Sequence, residues 1–257
     1  MSILRIWTIG TNTMREAVRN KLLYTLLFFA IALIGAGVVL SALSYAEGER
    51  ILQDFGFAAI RLFGVAIAIF VGVSLIHREV ERRTVYTILS KPLSRAEFLL
   101  GKYVGLVVTI WMQMAIMVLA FVIVSAVTGA PLTAGHALAF GLTAIELALV
   151  VAVATLFSAF TTPMLASFFS VGIWMVGHLT RDLRDIGAAS KSESMQQATR
   201  LLHRVMPDLE SFNFSVGAAH GLAFGPSDFW LPLVYGAGYI TLLLMLAIAI
   251  FERRDFR

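Results

Sequence analysis

Apolar positions in this chain come in long unbroken runs rather than in the short alternations of a soluble protein. Leu22 to Leu43 carries no charge. Leu62 to Ile76 is also uncharged, and with Phe55 to Arg61 ahead of it makes a second run, 55–76. Further runs cover 103–127, 137–160 (interrupted only by Glu146), 163–179 and 229–251, the last opening with Phe229, Trp230 and Tyr235 as interfacial aromatics. A bilayer core of about 30 Å takes about 20 apolar residues of helix, so the pattern predicts six transmembrane helices in an all-α integral membrane protein. Thr161, Thr162 and Pro163 form the whole turn between the fourth and fifth runs, which makes those helices antiparallel neighbours.

The segments between the runs have their own periodicities. Within residues 1–21, Ile3, Ile6, Trp7, Gly10, Met14, Ala17 and Val18 recur at helical spacing with arginines between them, as in a helix lying at the membrane surface. Arg5, Arg15, Glu16 and Arg19 break up any signal-peptide core. Residues 180–228 form the longest connection. Inside it Ser194 and Gln197 sit at capping-box spacing, and a helical stripe from Met195 through Ala198, Leu201, Leu202 and Val205 stops at Pro207. The stretch from Phe212 to Phe224 is apolar but too short to span, which points to re-entrant or interfacial structure.

Composition agrees with this picture. The chain has 257 residues, 59% hydrophobic and 14% charged. Ordinary soluble domains run near 45–50% apolar and about 25% charged. With a mean hydropathy of +0.85, a soluble enzyme is excluded. The absence of cysteine removes disulfides, zinc ribbons and thiol chemistry. The net charge of +4 is no sign of nucleic acid, because 13 of the 20 basic residues fall in residues 1–21, 77–102 and the tail after 251. By the positive-inside rule those segments are cytoplasmic, both termini included, and the chain sits in the inner membrane with 180–228 outside.

Residues 77–102 are the most informative connection. Val80, Val85, Ile88 and Leu89 fall near one helical face, Pro92 stops that helix, and Ser94 with Glu97 forms a capping box that opens the next. Such a helix suits a partner's groove, although an ordinary charged loop serving topology has the same periodicity.

The pattern of Glu81, Thr84, Leu89, Pro92, Ser94-Arg95 and Gly101-Lys102 resembles the permeases of ABC-2 type transporters. The nearest branch is that of permeases associated with multicopper enzyme maturation, nitrous-oxide reductase maturation among them, and Pro207 to Asn213 is similar to a segment before the last span there. Arg83 stands where many members have glycine. The resemblance implies a coupling helix from about Glu79 to Leu89, seated in a cytoplasmic ABC ATPase, with Glu79, Glu81, Arg82, Arg83, Thr84, Tyr86, Thr87, Leu89 and Pro92 as docking residues. It also implies an exporter built from two copies of this chain and two ATPases, with a periplasmic or accessory protein as a further partner. ATP and magnesium belong to the ATPase, since this chain has no phosphate-binding Gly-x-x-x-x-Gly-Lys-Ser/Thr loop, and no cofactor or catalytic residue is expected in it. Closure of the ATPases would shift spans one, two and five as rigid bodies.

Glu146, near the middle of the fourth span, carries a burial cost of roughly 2.5–3.5 kcal/mol on insertion scales. It is either a pathway or proton-coupling residue, or a neutral acid bonded to Thr143 or a neighbouring helix, and the sequence suggests no acid or histidine partner for it. Met114 and Met117 share a face as packing residues, while Met112 points elsewhere. The five histidines are scattered, His136 and His178 near outer ends of spans, so no metal site is indicated. Three rivals remain: an ABC-type subunit that transmits force to a periplasmic partner through 180–228, a secondary transporter, and an intramembrane enzyme. The last two lack the inverted repeats and paired intramembrane groups they would need.

Overall fold

The computed structural model describes residues 3–44, 47–81, 94–190 and 192–253. Among the described residues the secondary structure is helical, without strands. An amphipathic helix α1 (Ile3–Val18) precedes α2 (Lys21–Ala42), α3 (Gly48–Glu81), α4 (Arg95–Thr128), α5 (Ala134–Ser158) and α6 (Pro163–Ala189). A surface helix α7 (Glu193–Val205), a 3-10 turn (Glu210–Phe212) and a short α8 (Ser215–Ala219) then lead to α9 (Ser227–Arg253). Six of these, α2 to α6 and α9, are long and apolar enough to cross a membrane.

The helices are not equivalent. In α3 and α5, 67% and 72% of the most apolar window is buried; in α2, α6 and α9 the share is 22%. Two central helices are therefore wrapped by peripheral ones whose large side chains face outward. Phe28, Phe168, Met175, Val234 and Met245 are examples of exposed apolar residues on that periphery. Such a belt is unstable in water and suited to hydrocarbon.

Helix ends follow local chemistry. Asn20 caps α2 by accepting from the Leu22 N–H at 3.1 Å. Ser94 and Glu97 close the expected capping box reciprocally, each bond 3.1 Å. Thr162 and Pro163 open α6, the proline filling a first-turn position where its missing N–H matters least. At α7 the N-cap is Ser192 rather than Ser194. The Ser194 hydroxyl lies 2.9 Å from that of Ser192, so it is spent within the first turn instead of capping it.

Three helices extend well past the apolar runs, α4 among them, which begins at Arg95, eight residues before Tyr103. α3 is one 34-residue helix that carries Asp54 and Arg61 as well as the apolar stretch. α6 continues to Ala189, ten residues beyond Leu179. Among the docking residues expected in the second connection, Glu79 and Glu81 belong to the last turns of α3. Arg82, Arg83, Thr84, Tyr86, Thr87, Leu89 and Pro92 lie outside the described residues.

α1 packs on α4 through small residues, as helices do where lipid offers no hydrophobic contrast. Gly10, Thr13 and Ala17 are its buried face. Gly101 and Gly105 receive it: a Cβ on Gly101 would stand 2.6 Å from that of Ile9, and one on Gly105 would collide with the Gly10 carbonyl oxygen. Ile3, Leu4 and Trp7, by contrast, are exposed. Lys102, almost fully buried, meets Glu16 of α1 at 3.5 Å. Arg95 donates to the carbonyls of Phe251 (3.1 Å) and Glu252 (2.9 Å), satisfying the C-terminal end of α9. Hence α1, the end of α3, the start of α4, the α5–α6 turn and the end of α9 gather at one pole of the bundle.

Candidate functional site

A charged cluster sits where three spans meet. Glu146 of α5 is fully enclosed. From α3, Arg61 donates Nε to Oε1 (3.2 Å) and Oε2 (2.9 Å), with Nη2 2.9 Å from Oε2. From α6, the Trp174 indole N–H donates to Oε1 at 3.0 Å, and His178 Nε2 stands 3.2 Å from the same oxygen. Trp174 and His178 are four residues apart, so one face of α6 presents both.

The sequence pattern leaves Glu146 without a partner; the tertiary structure supplies a guanidinium and an imidazole. Arg61 lies within the 55–76 run, just ahead of the uncharged stretch Leu62–Ile76, where a charge reads as the margin of a span. α3 carries it inward instead. His178 is likewise no end-of-span residue, since α6 runs on to Ala189 and places it well inside the helix. Thr143 is not the partner of Glu146, because its hydroxyl donates to the Ala139 carbonyl at 2.9 Å. The one available signal was the pairing rule itself: an intramembrane carboxylate calls for an intramembrane cation.

The cluster borders an open pocket of about 400 Å³ lined by α3, α5, α6 and the turn before α8. Asp54, Arg61, Thr143, His178, Asn213 and Ser215 supply polar atoms to its wall, and Phe57, Trp174 and Phe214 supply aromatic faces. Arg61 and His178 show an edge to this space, whereas Glu146 does not, being 0% exposed. Chemically the arrangement fixes charge: Glu146 neutralises and orients Arg61 and holds α6 through Trp174 and His178. Glu146 thus acts on the pocket through its partners.

At the opposite pole from α1, the connection after α6 is fastened on both sides. Arg181 donates Nε (3.1 Å) and Nη2 (3.0 Å) to Asp208 Oδ2, and the Leu209 N–H donates to the Gly177 carbonyl at 3.0 Å. From α9, the Tyr235 hydroxyl accepts the Asp208 N–H (2.9 Å) and the Tyr239 hydroxyl donates to the Val205 carbonyl (2.6 Å). The segment Pro207–Asn213 therefore works locally as a clasp between α6 and α9.

A second polar link lies at the pole near α1. His77, buried in the last turns of α3, holds Nε2 2.8 Å from the Thr161 carbonyl and Nδ1 3.1 Å from that of Val73. Both partners are acceptors, so the ring donates to both only when it carries both protons. In sequence His77 is one scattered histidine among five; only the fold shows what it touches.

Met114 and Met117 are core residues, and Met112 is exposed. Residues 7–256 match the family model described as ABC-2 family transporter protein. No curated protein matches the chain.

Proposed function

The chain belongs to the ABC-2 family of transporter proteins, and from that premise we propose that it serves as the membrane half of an exporter, working as a pair of copies in the inner membrane. In its coarser part this follows from membership: a multi-pass permease subunit of an ABC transporter, a class that works with an ABC ATPase. The finer part is our reading. The ATPase docks at residues 79–92, with Glu79, Glu81 and Arg82 foremost, and both termini are cytoplasmic. ATP and magnesium stay on the ATPase. The observation that carries this is the match over 250 of 257 residues, since it takes in most of α1, the six spans and the connection 82–93 together.

Within this reading, the cluster at Glu146 ties α6 to the central helices α3 and α5, so that peripheral α6 follows them. The same resemblance that suggests docking at 79–92 also suggests the multicopper-enzyme maturation branch. A second reading is supported by the clasp at Pro207–Asn213. Bound to both α6 and α9, that segment suits a subunit that passes movement to a periplasmic partner.

Co-purification tests the docking. An ABC ATPase co-expressed as its partner should be recovered with the wild type and lost when Glu79, Glu81 and Arg82 are reversed in charge. Unchanged recovery from the reversed variant would sink the docking assignment.

A further inference from the structure

Helix α3 holds α6 at two points. Arg61 reaches α6 through Glu146, whose other oxygen contacts are Trp174 and His178. Sixteen residues later His77 reaches the α5–α6 turn at the Thr161 carbonyl, 2.8 Å away. At about 1.5 Å per residue the two grips are about 24 Å apart along α3. α6 itself is lightly packed, with Met164 and Phe168 among its exposed residues near the start. A helix with so little buried surface follows whatever polar links hold it, because apolar contacts with its neighbours differ little from contacts with lipid.

His77 also stands two residues before Glu79, where the proposed ATPase-docking segment begins. We propose that His77 is a positioning residue that relays movement of the docking segment to α6, its bond to the Thr161 carbonyl making the end of α3 and the start of α6 move together. The relay rests on the reading that residues 79–92 dock the ATPase. Its chemistry is simple. The Thr161 carbonyl belongs to the short turn between α5 and α6, which cannot pair it within a helix, and His77 supplies the missing donor. When the end of α3 shifts, that turn shifts with it, and α6 tilts about its second grip at Glu146.

Two measurements test this. In the purified permease alone, His77→Phe should speed hydrogen exchange at residues 166–169, the first hydrogen-bonded amides of α6, roughly five- to tenfold, with exchange in α9 unchanged. His77→Gln, which keeps a donor, should return it towards the wild-type rate. Should His77→Phe fail to purify, His77→Asn, too short to reach Thr161, carries the same expectation. In the complex with its ATPase, spin labels at Phe168→Cys of α6 and Leu119→Cys of α4 should change separation on adding ATP, magnesium and vanadate. His77→Phe should abolish that change while the ATPase still co-purifies and hydrolyses ATP, and His77→Gln should restore it. An unaltered exchange rate, or a full distance change in His77→Phe, would overturn the relay. Failure of the wild type to recover the ATPase would remove the docking reading, and the relay with it, while leaving the exchange measurement to stand or fall on the bond itself.

Discussion

Arg61 and Glu146, 85 residues apart in sequence, close a doubly bonded ion pair inside the apolar bundle, with the nearest nitrogen–oxygen distance 2.9 Å. Taking one partner away strands the other charge, which in buried pairs is destabilising by about 3–5 kcal/mol. Arg61→Leu should therefore lower the unfolding temperature more than the double variant Arg61→Leu/Glu146→Leu does, as followed by tryptophan fluorescence in detergent. Equal losses in the two would show that the pair is not the tie described here.

Glu146→Gln separates charge from hydrogen bonding. The amide still accepts from Trp174, so the three helices should remain assembled, with a milder loss of stability than in Arg61→Leu. Transport of an identified cargo should persist if Glu146 acts by holding its neighbours. Loss of transport in a variant that unfolds normally would make Glu146 a pathway residue instead.

The crossing of α1 and α4 has no room for a side chain at Gly105, whose Cβ would meet the Gly10 carbonyl. Gly105→Val should push α1 off α4, part the Lys102–Glu16 ion pair and destabilise the protein by about 1–3 kcal/mol. At Gly72 the nearest atom to an added Cβ is the Leu106 side chain at 3.8 Å, so Gly72→Ala should be close to neutral. Thermal unfolding of the two variants checks the contrast.

Tyr239→Phe removes the 2.6 Å bond to the Val205 carbonyl and leaves the last turn of α7 held by less. A loss of about 1 kcal/mol is expected, seen as faster exchange at the end of α7 with α3 unaffected. Asp208→Asn, which weakens the Arg181 contact on the other side of the clasp, should open the same segment to limited proteolysis.

Topology can be read chemically because the chain has no thiol of its own. Single cysteines at Thr87 and Ser192 should react with a membrane-impermeant maleimide from opposite sides of the membrane. Labelling of both from one side would overturn the proposed orientation.

Much of the fold was legible in the sequence. Ser94 with Glu97, Pro163 at the head of α6 and the uncharged run of α2 act within a turn or a single helix, and each appears in the structure as local chemistry requires. The α7 N-cap lies two residues before the serine its spacing predicts, because three serines compete there and only the folded turn decides which hydroxyl is spent on another. The site was legible in one residue alone. Glu146 announces itself as a carboxylate among apolar residues, whereas Arg61, His77 and His178 sit where flanking positions look ordinary.

What the sequence by itself determined is how many helices cross and roughly where, since apolar length against bilayer thickness is a property of each segment alone. What only the tertiary structure decided is which charges meet. The rotation of each helix about its axis, and the depth at which α3, α5 and α6 pack, bring Arg61, Trp174 and His178 to one carboxylate, and His77 to one carbonyl. Those rotations are set by close packing of small and large side chains between segments far apart in the chain, which no single segment encodes.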